Sequence, residues 1–223
     1  MKFCILPNWC CAFLLCINAG CVEDKNVSST SMVSTTDLPV AVSVHVRKLG
    51  DKKSGVRGQA AVDLAQMGRT AEPAAPWLVK LLGDTSVANW MKNSKVGEEA
   101  AYALREIGGD TAFRLIVAEC TNGSATVRCN AVWAFANNKM FCLEQRAIPY
   151  VVALTQDKDS SVRKAASGRL SGISGIDYGD NPAAWMKWWM DNKSVLLSRD
   201  QDHSESADES RPPHPKPSGE KRF

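Results

Sequence analysis

Four times along its length the chain repeats one helical pattern, and that repetition limits the possible folds more than any other feature. The segments are SGVRGQAAVDLAQMG, SKVGEEAAYALREIG, ATVRCNAVWAFAN and SSVRKAASGRLSGI. Each is keyed by a valine: Val56, Val96, Val127 and Val162. Four residues on stand Ala60, Ala100, Ala131 and Ala166, and four further on Leu64, Leu104, Phe135 and Leu170. A spacing of four and four puts these side chains on one face of a helix, to be buried as a stripe. The units lie 40, 31 and 35 residues apart, a period typical of stacked two-helix repeats.

A second amphipathic stretch precedes each unit. Val42, Val46 and Leu49 mark the first, and Trp77, Leu78, Leu81 and Leu82 the second. Phe113, Ile116, Val117 and Cys120 mark the third, and Ile148, Val151, Val152 and Leu154 the fourth. Pro73 and Pro149 are expected in first helical turns, where the missing N–H is tolerated. Gly68 and Gly108 are expected to end helices. Asp51, Asn122 and Asp157 each stand five residues before the repeat valine, as turn formers do. Asp84 takes the same place but lies twelve residues ahead of Val96, so TSVANWMKNSK carries a seven-residue insertion.

The combined pattern, D-x4-VR-x2-A-x3-L over roughly residues 40–173, resembles the HEAT-repeat superfamily, including its phycobilisome lyase-like subgroup. Arg57, Arg128 and Arg163 occupy the place after the valine where that family commonly has arginine. Gly97 departs from it, so a ladder of Asp–Arg contacts is expected to break there. The resemblance implies an all-α fold, a short right-handed α-solenoid of about four helix pairs over residues 39–173. Residues 174–197 are expected to supply a capping helix in which Trp185, Trp188 and Trp189 cover the last pair.

The two ends read differently. Lys2 followed by the apolar run WCCAFLLCI and the small residues before Cys21 has the layout of a secretory signal peptide, residues 1–20. The ending NAGC resembles the lipobox of bacterial lipoproteins, although Asn18 stands where that motif usually has leucine. The resemblance implies lipidation at Cys21, with residues 21–38, rich in Ser and Thr, as a flexible tether. A cleaved signal with an incidental cysteine is the alternative. Residues 198–223 hold few apolar side chains and many Pro, Ser and charges, and are expected to lack fixed structure. Cys120, Cys129 and Cys142 are an odd trio with no CxxC; buried free thiols and a Cys120–Cys129 bridge both remain open.

Little in the chain points to chemistry. A formal net charge of +3 without a basic stripe argues against nucleic acid. His45, His203 and His214 have no zinc spacing, and neither a nucleophile elbow nor a phosphate loop occurs. No catalytic residue, metal, cofactor or small-molecule substrate is therefore expected. The expected function is a scaffold of the cell envelope, anchored to a membrane by lipid, that binds another protein. Partner contacts are expected from Trp90 and Met91 in the insertion and from Arg57, Arg105, Arg128 and Arg169 on the second helices, whose mixed-sign surface suits a protein. The basic residues Arg47, Lys48, Lys52 and Lys53 near the tether suit anionic lipid. A bilin-attaching enzyme, implied by the lyase-like subgroup, and a structural spacer without a ligand are the alternatives.

Overall fold

A computed structural model describes residues 38–89, 93–135 and 141–208, apart from the side chains of 141–145 and 197–208. Among these residues the chain is all-α except for one short ladder. The helices are α1 (Val40–Lys48), α2 (Ser54–Met67), α3 (Ala75–Lys80), α4 (Val96–Ile107), α5 (Asp110–Glu119), α6 (Ala125–Ala134), α7 (Phe141–Leu154), α8 (Ser160–Ser174) and α9 (Pro182–Asp208). A 3₁₀ segment, Gly68–Ala74, leads into α3, and strands β1 (Val87–Asn89) and β2 (Ser94–Lys95) pair antiparallel.

The repeated stripe is what the core is made of. Ala60, Leu64, Val96, Ala100, Leu104, Val127, Ala131, Phe135, Val162, Ala166 and Leu170 are all buried, and Val56 is half-buried. Burying each leucine or phenylalanine contributes about 1.5–3 kcal/mol, and the alanines between them let backbones approach closely. Helices α2, α4, α6 and α8 pack in succession, and so do α1, the 3₁₀–α3 segment, α5, α7 and α9. Within each repeat the first helix packs on the second: α1 on α2, α3 on α4, α5 on α6 and α7 on α8. Between these rows Phe113, Phe135 and Tyr150 form an aromatic cluster with ring centroids 5.8–6.5 Å apart.

Helix ends follow local chemistry. Gly68 and Gly108 close α2 and α4 at φ of 56° and 60°, values that favour glycine. Glu72 reaches from the 3₁₀ segment to accept the amide of Thr111 at 3.0 Å, in the first turn of α5. The chain differs from the sequence expectation at both prolines. Pro73 lies inside the 3₁₀ segment rather than opening an α-helix, because Pro73 and Pro76 together remove two amide donors. Pro149 lies in the interior of α7, since that helix begins earlier, at Phe141.

On α9, Trp185, Trp188 and Trp189 are buried, and the helix packs against α7. Trp185 Nε1 donates to Gly179 O at 3.0 Å, so its one polar atom is satisfied. The helix runs to Asp208, across the Ser198 boundary expected for the tail. No glycine or proline interrupts the sequence between Pro182 and Pro212, so nothing in the backbone chemistry stops the helix earlier. Among the described residues no helix is long and apolar enough to cross a membrane.

Candidate partner-binding groove

The turns that hold one repeat on the next use arginine. Arg128 donates from Nε and Nη2 to the Asp157 carboxylate, both at 2.7 Å, and from Nη1 to Asn122 O at 2.7 Å and Gly123 O at 3.2 Å. Arg57 does the same with Asp84 and with Asp51 O and Lys52 O. Arg163 repeats it with Asp180 and with Asp157 O and Lys158 O. Burial alone raises the carboxyl pKa of Asp157; the Arg128 guanidinium and the Asp159 amide outweigh it and hold the group below its ordinary range. At Asp84 burial acts the same way and is outweighed by Ser86 and Arg57.

At the second repeat the ladder breaks as expected. Gly97 packs so tightly that a Cβ there would lie 2.7 Å from Leu82 O and 2.8 Å from Asn130 Nδ2. Asn130, buried on α6, donates to Leu82 O at 2.7 Å. The turn residue that an arginine at position 97 would meet is Asn122, not an aspartate. Both members of the ion pair are thus missing together.

Beside this break lies a cavity of about 650 Å³ lined from α4, α6 and the start of α8. Glu98, Ala101, Tyr102 and Arg105 present an i, i+3, i+4, i+7 stripe from α4. Thr126, Cys129, Asn130 and Trp133 present the same stripe from α6. Trp133 is 58% exposed and Tyr102 40%. The Arg105 guanidinium lies 4.8 Å from the Tyr102 ring centroid and is paired with Glu106 at 3.1 Å. Lys95, Glu98 and Asp159 add charges of both signs at the rim.

The groove's sulfur is not poised for nucleophilic chemistry. Burial, then the carboxylates of Asp159 and Asp157, push the Cys129 thiol up against the opposing pull of Arg128. Cys120 is pushed up to about 12, first by burial and then by Glu119, and its Sγ donates to Ile116 O. Both are free thiols. Among the described residues no group of three or more His, Cys, Asp or Glu is placed to hold a metal ion.

Of the residues expected to meet a partner, only Arg105 lines the groove. Arg128 is 4% exposed and Arg57 half-buried; both are turned into the stack, because the following repeat's turn brings an aspartate over them. Both therefore span turns of the stack instead of standing open to solvent. Arg169 is partly buried on α8, outside the groove lining. Trp90, Met91 and Cys21 lie outside the described residues. The insertion forms the β1–β2 ladder, which seats on α2: Ser54 Oγ donates to Val87 O at 2.7 Å, and Gly58 leaves room for Ala88.

Tyr102 and Trp133 were missed, although the sequence carries a signal for them. Both stand six residues after the repeat valine, off the buried stripe, where the outer repeats have the smaller Val62 and Gly168. Aromatic side chains at the same outward position of adjacent repeats are a surface feature that alignment of the repeats exposes.

Comparison with known proteins adds little. No protein-family model matches the chain, and no curated protein matches it. Among solved structures it is similar to an engineered protein whose crystal structure comes from the Northeast Structural Genomics Consortium, at 27% identity and a TM-score of 0.37. The match covers 60% of this chain and 62% of that one, so it spans under two thirds of either.

Proposed function

We propose that this chain is a membrane-tethered, HEAT-like right-handed α-solenoid of about four helix pairs, closed by the tryptophans of α9, that binds a protein partner in the groove of its second and third repeats. The two helix rows, each packed in sequence order, support the solenoid. Burial of Trp185, Trp188 and Trp189 against the last repeats supports the cap. The lipid anchor rests on the sequence around Cys21.

One observation carries the binding role. Tyr102 and Trp133 stand exposed at equivalent positions of adjacent repeats, above a cavity with charges of both signs. Aromatic anchors beside an arginine, with a mixed polar rim, are the composition of a protein contact rather than of a site for a polyanion. Nothing in the fold needs Trp133 on the outside, whereas its neighbours Val132 and Ala134 are fully buried.

The test is crosslinking in cells followed by mass identification, run on the native sequence and on Trp133→Ala and Tyr102→Ala. A partner recovered with the native chain and lost from both variants, with unchanged thermal melting, is the expected result. A partner that both variants retain would place the contact elsewhere. Recovery of no protein with the native chain would favour the spacer.

A further inference from the structure

The first helix has two faces of opposite character. Val42 and Val46 are buried against the stack, while Val40 is 80% exposed and Val44 42%. At 100° per residue, Val40, Val44, Arg47 and Lys48 fall within an arc of about 100° opposite the buried pair. All four are exposed, and Lys52 and Lys53 follow, also exposed, in the next turn. None of these four cations has an ion-pair partner among the described residues. The acidic groups nearby are engaged elsewhere: Asp51 accepts the Lys53 amide at 2.7 Å, and Asp63 of α2 lies 3.2 Å from His45 Nδ1.

We infer that this outer face of α1 docks on an anionic phospholipid surface, with Val40 and Val44 entering the interface and Arg47, Lys48, Lys52 and Lys53 meeting the headgroup phosphates. Apolar side chains bordered by lysine and arginine are what holds an amphipathic helix in the plane of a bilayer. Each basic residue near an anionic surface strengthens attachment about fivefold. A protein partner would more commonly be met by aromatic anchors, which the groove has and this face lacks.

For its geometry the inference rests on the anchored reading. A flexible tether made of the 16 residues 22–37, the expectation for that Ser/Thr-rich sequence, would span about 22 Å. An anchor at Cys21 thus keeps α1 close to the headgroups, at an effective concentration at which a weak contact is occupied.

The experiment places photoreactive benzoylphenylalanine at position 44 of the full chain and exposes it to two kinds of vesicle, phosphatidylglycerol mixed with phosphatidylcholine and phosphatidylcholine alone. Lipid adducts at that position on the mixed vesicles, suppressed in about 1 M NaCl, where screening acts over about 3 Å, are expected. Arg47→Glu with Lys48→Glu should lower salt-sensitive attachment of a Cys21→Ser chain by about 25-fold or more, two residues at about fivefold each, without shifting its melting temperature. Equal adducts on both vesicle types, or none on either, would overturn the inference. So would adducts in cells confined to a protein. The anchor has its own readout: attachment that survives about 1 M salt in the native chain and not in Cys21→Ser. Loss of that attachment alone would remove the anchor and leave the α1 face standing.

Discussion

Two neighbouring turns, one at the α6–α8 contact and one at the α2–α4–α6 contact, meet the same requirement by opposite means. At the first, Arg128 binds two carbonyls of its own turn and the carboxylate of the next. At the second, position 97 has no side chain to offer. Gly97 N donates to Asp84 O at 2.9 Å, and Asn130 reaches down from the following helix to Leu82 O. In both cases the turn carbonyls end with donors. The comparison teaches that what the repeat preserves is the satisfaction of its turn, not the arginine. It also shows that charge enters and leaves in pairs, Arg128 with Asp157 and Gly97 with Asn122.

The largest effect expected is at the charged turn. Arg128→Ala leaves Asp157, whose side chain is 9% exposed, without its counter-charge. Breaking a buried pair from one side costs about 3–5 kcal/mol, to be read from urea unfolding midpoints. Arg128→Ala combined with Asp157→Ala should cost less than the sum of the two singles. Additive singles would mean that the pair is not coupled and that the carbonyl bonds alone matter.

Acid sharpens the same contrast. The folded-state pKa of Asp157 is depressed, so its contribution is present above the unfolded value, about 3.9, and is lost as pH falls through the lower folded value. Asp84 shares this behaviour. The native chain should therefore lose stability steeply below about pH 4, and Arg128→Ala should show a shallower acid limb. Parallel limbs in the two proteins, measured by melting across pH, would contradict the assignment.

The turn against Gly97 should be fragile in another way. Gly97→Ala puts a Cβ within 3.1 Å of two backbone carbonyls, neither of which can swing aside as a side chain does. The overpacking should cost about 1–3 kcal/mol. Gly97→Arg should not restore a rung, because Asn122 has no charge to offer. If Gly97→Arg proves as stable as the native chain, the two turns are interchangeable and the comparison fails.

How much of this was legible in the sequence depends on how local each feature is. The Val–Ala–Leu stripe and Gly68 and Gly108 are read correctly, because helical periodicity and positive-φ helix ends are written within a few residues. The placement of Arg57 and Arg128 is not legible, because a charged residue off the stripe looks exposed until the next repeat supplies Asp84 or Asp157, 27 or 29 residues later. The β1–β2 ladder was invisible for the same reason. Strands of three and two residues have no periodicity to detect, and theirs is fixed by Ala88 settling over Gly58, on another element. The groove fell between these cases. Its aromatics are visible in the repeats, but the cavity they flank exists only once α4 and α6 are side by side.

The smallest effect closes the series at the other end of the ladder. Arg163 pairs with Asp180 at 3.0 Å, but that aspartate's side chain is 49% exposed, against 9% for Asp157. Water already solvates the carboxylate, so little is gained from the guanidinium, and such pairs contribute about 1 kcal/mol or less. Arg163 also donates to Asp157 O at 3.0 Å, a bond that Arg163→Lys can keep in part and Arg163→Ala cannot. Arg163→Lys should therefore sit near the native stability and Arg163→Ala lower by about 1 kcal/mol, with the deficit insensitive to salt. A deficit as large as that of Arg128→Ala would show that burial does not set the worth of a rung, and that the ladder acts as one cooperative unit along the whole stack.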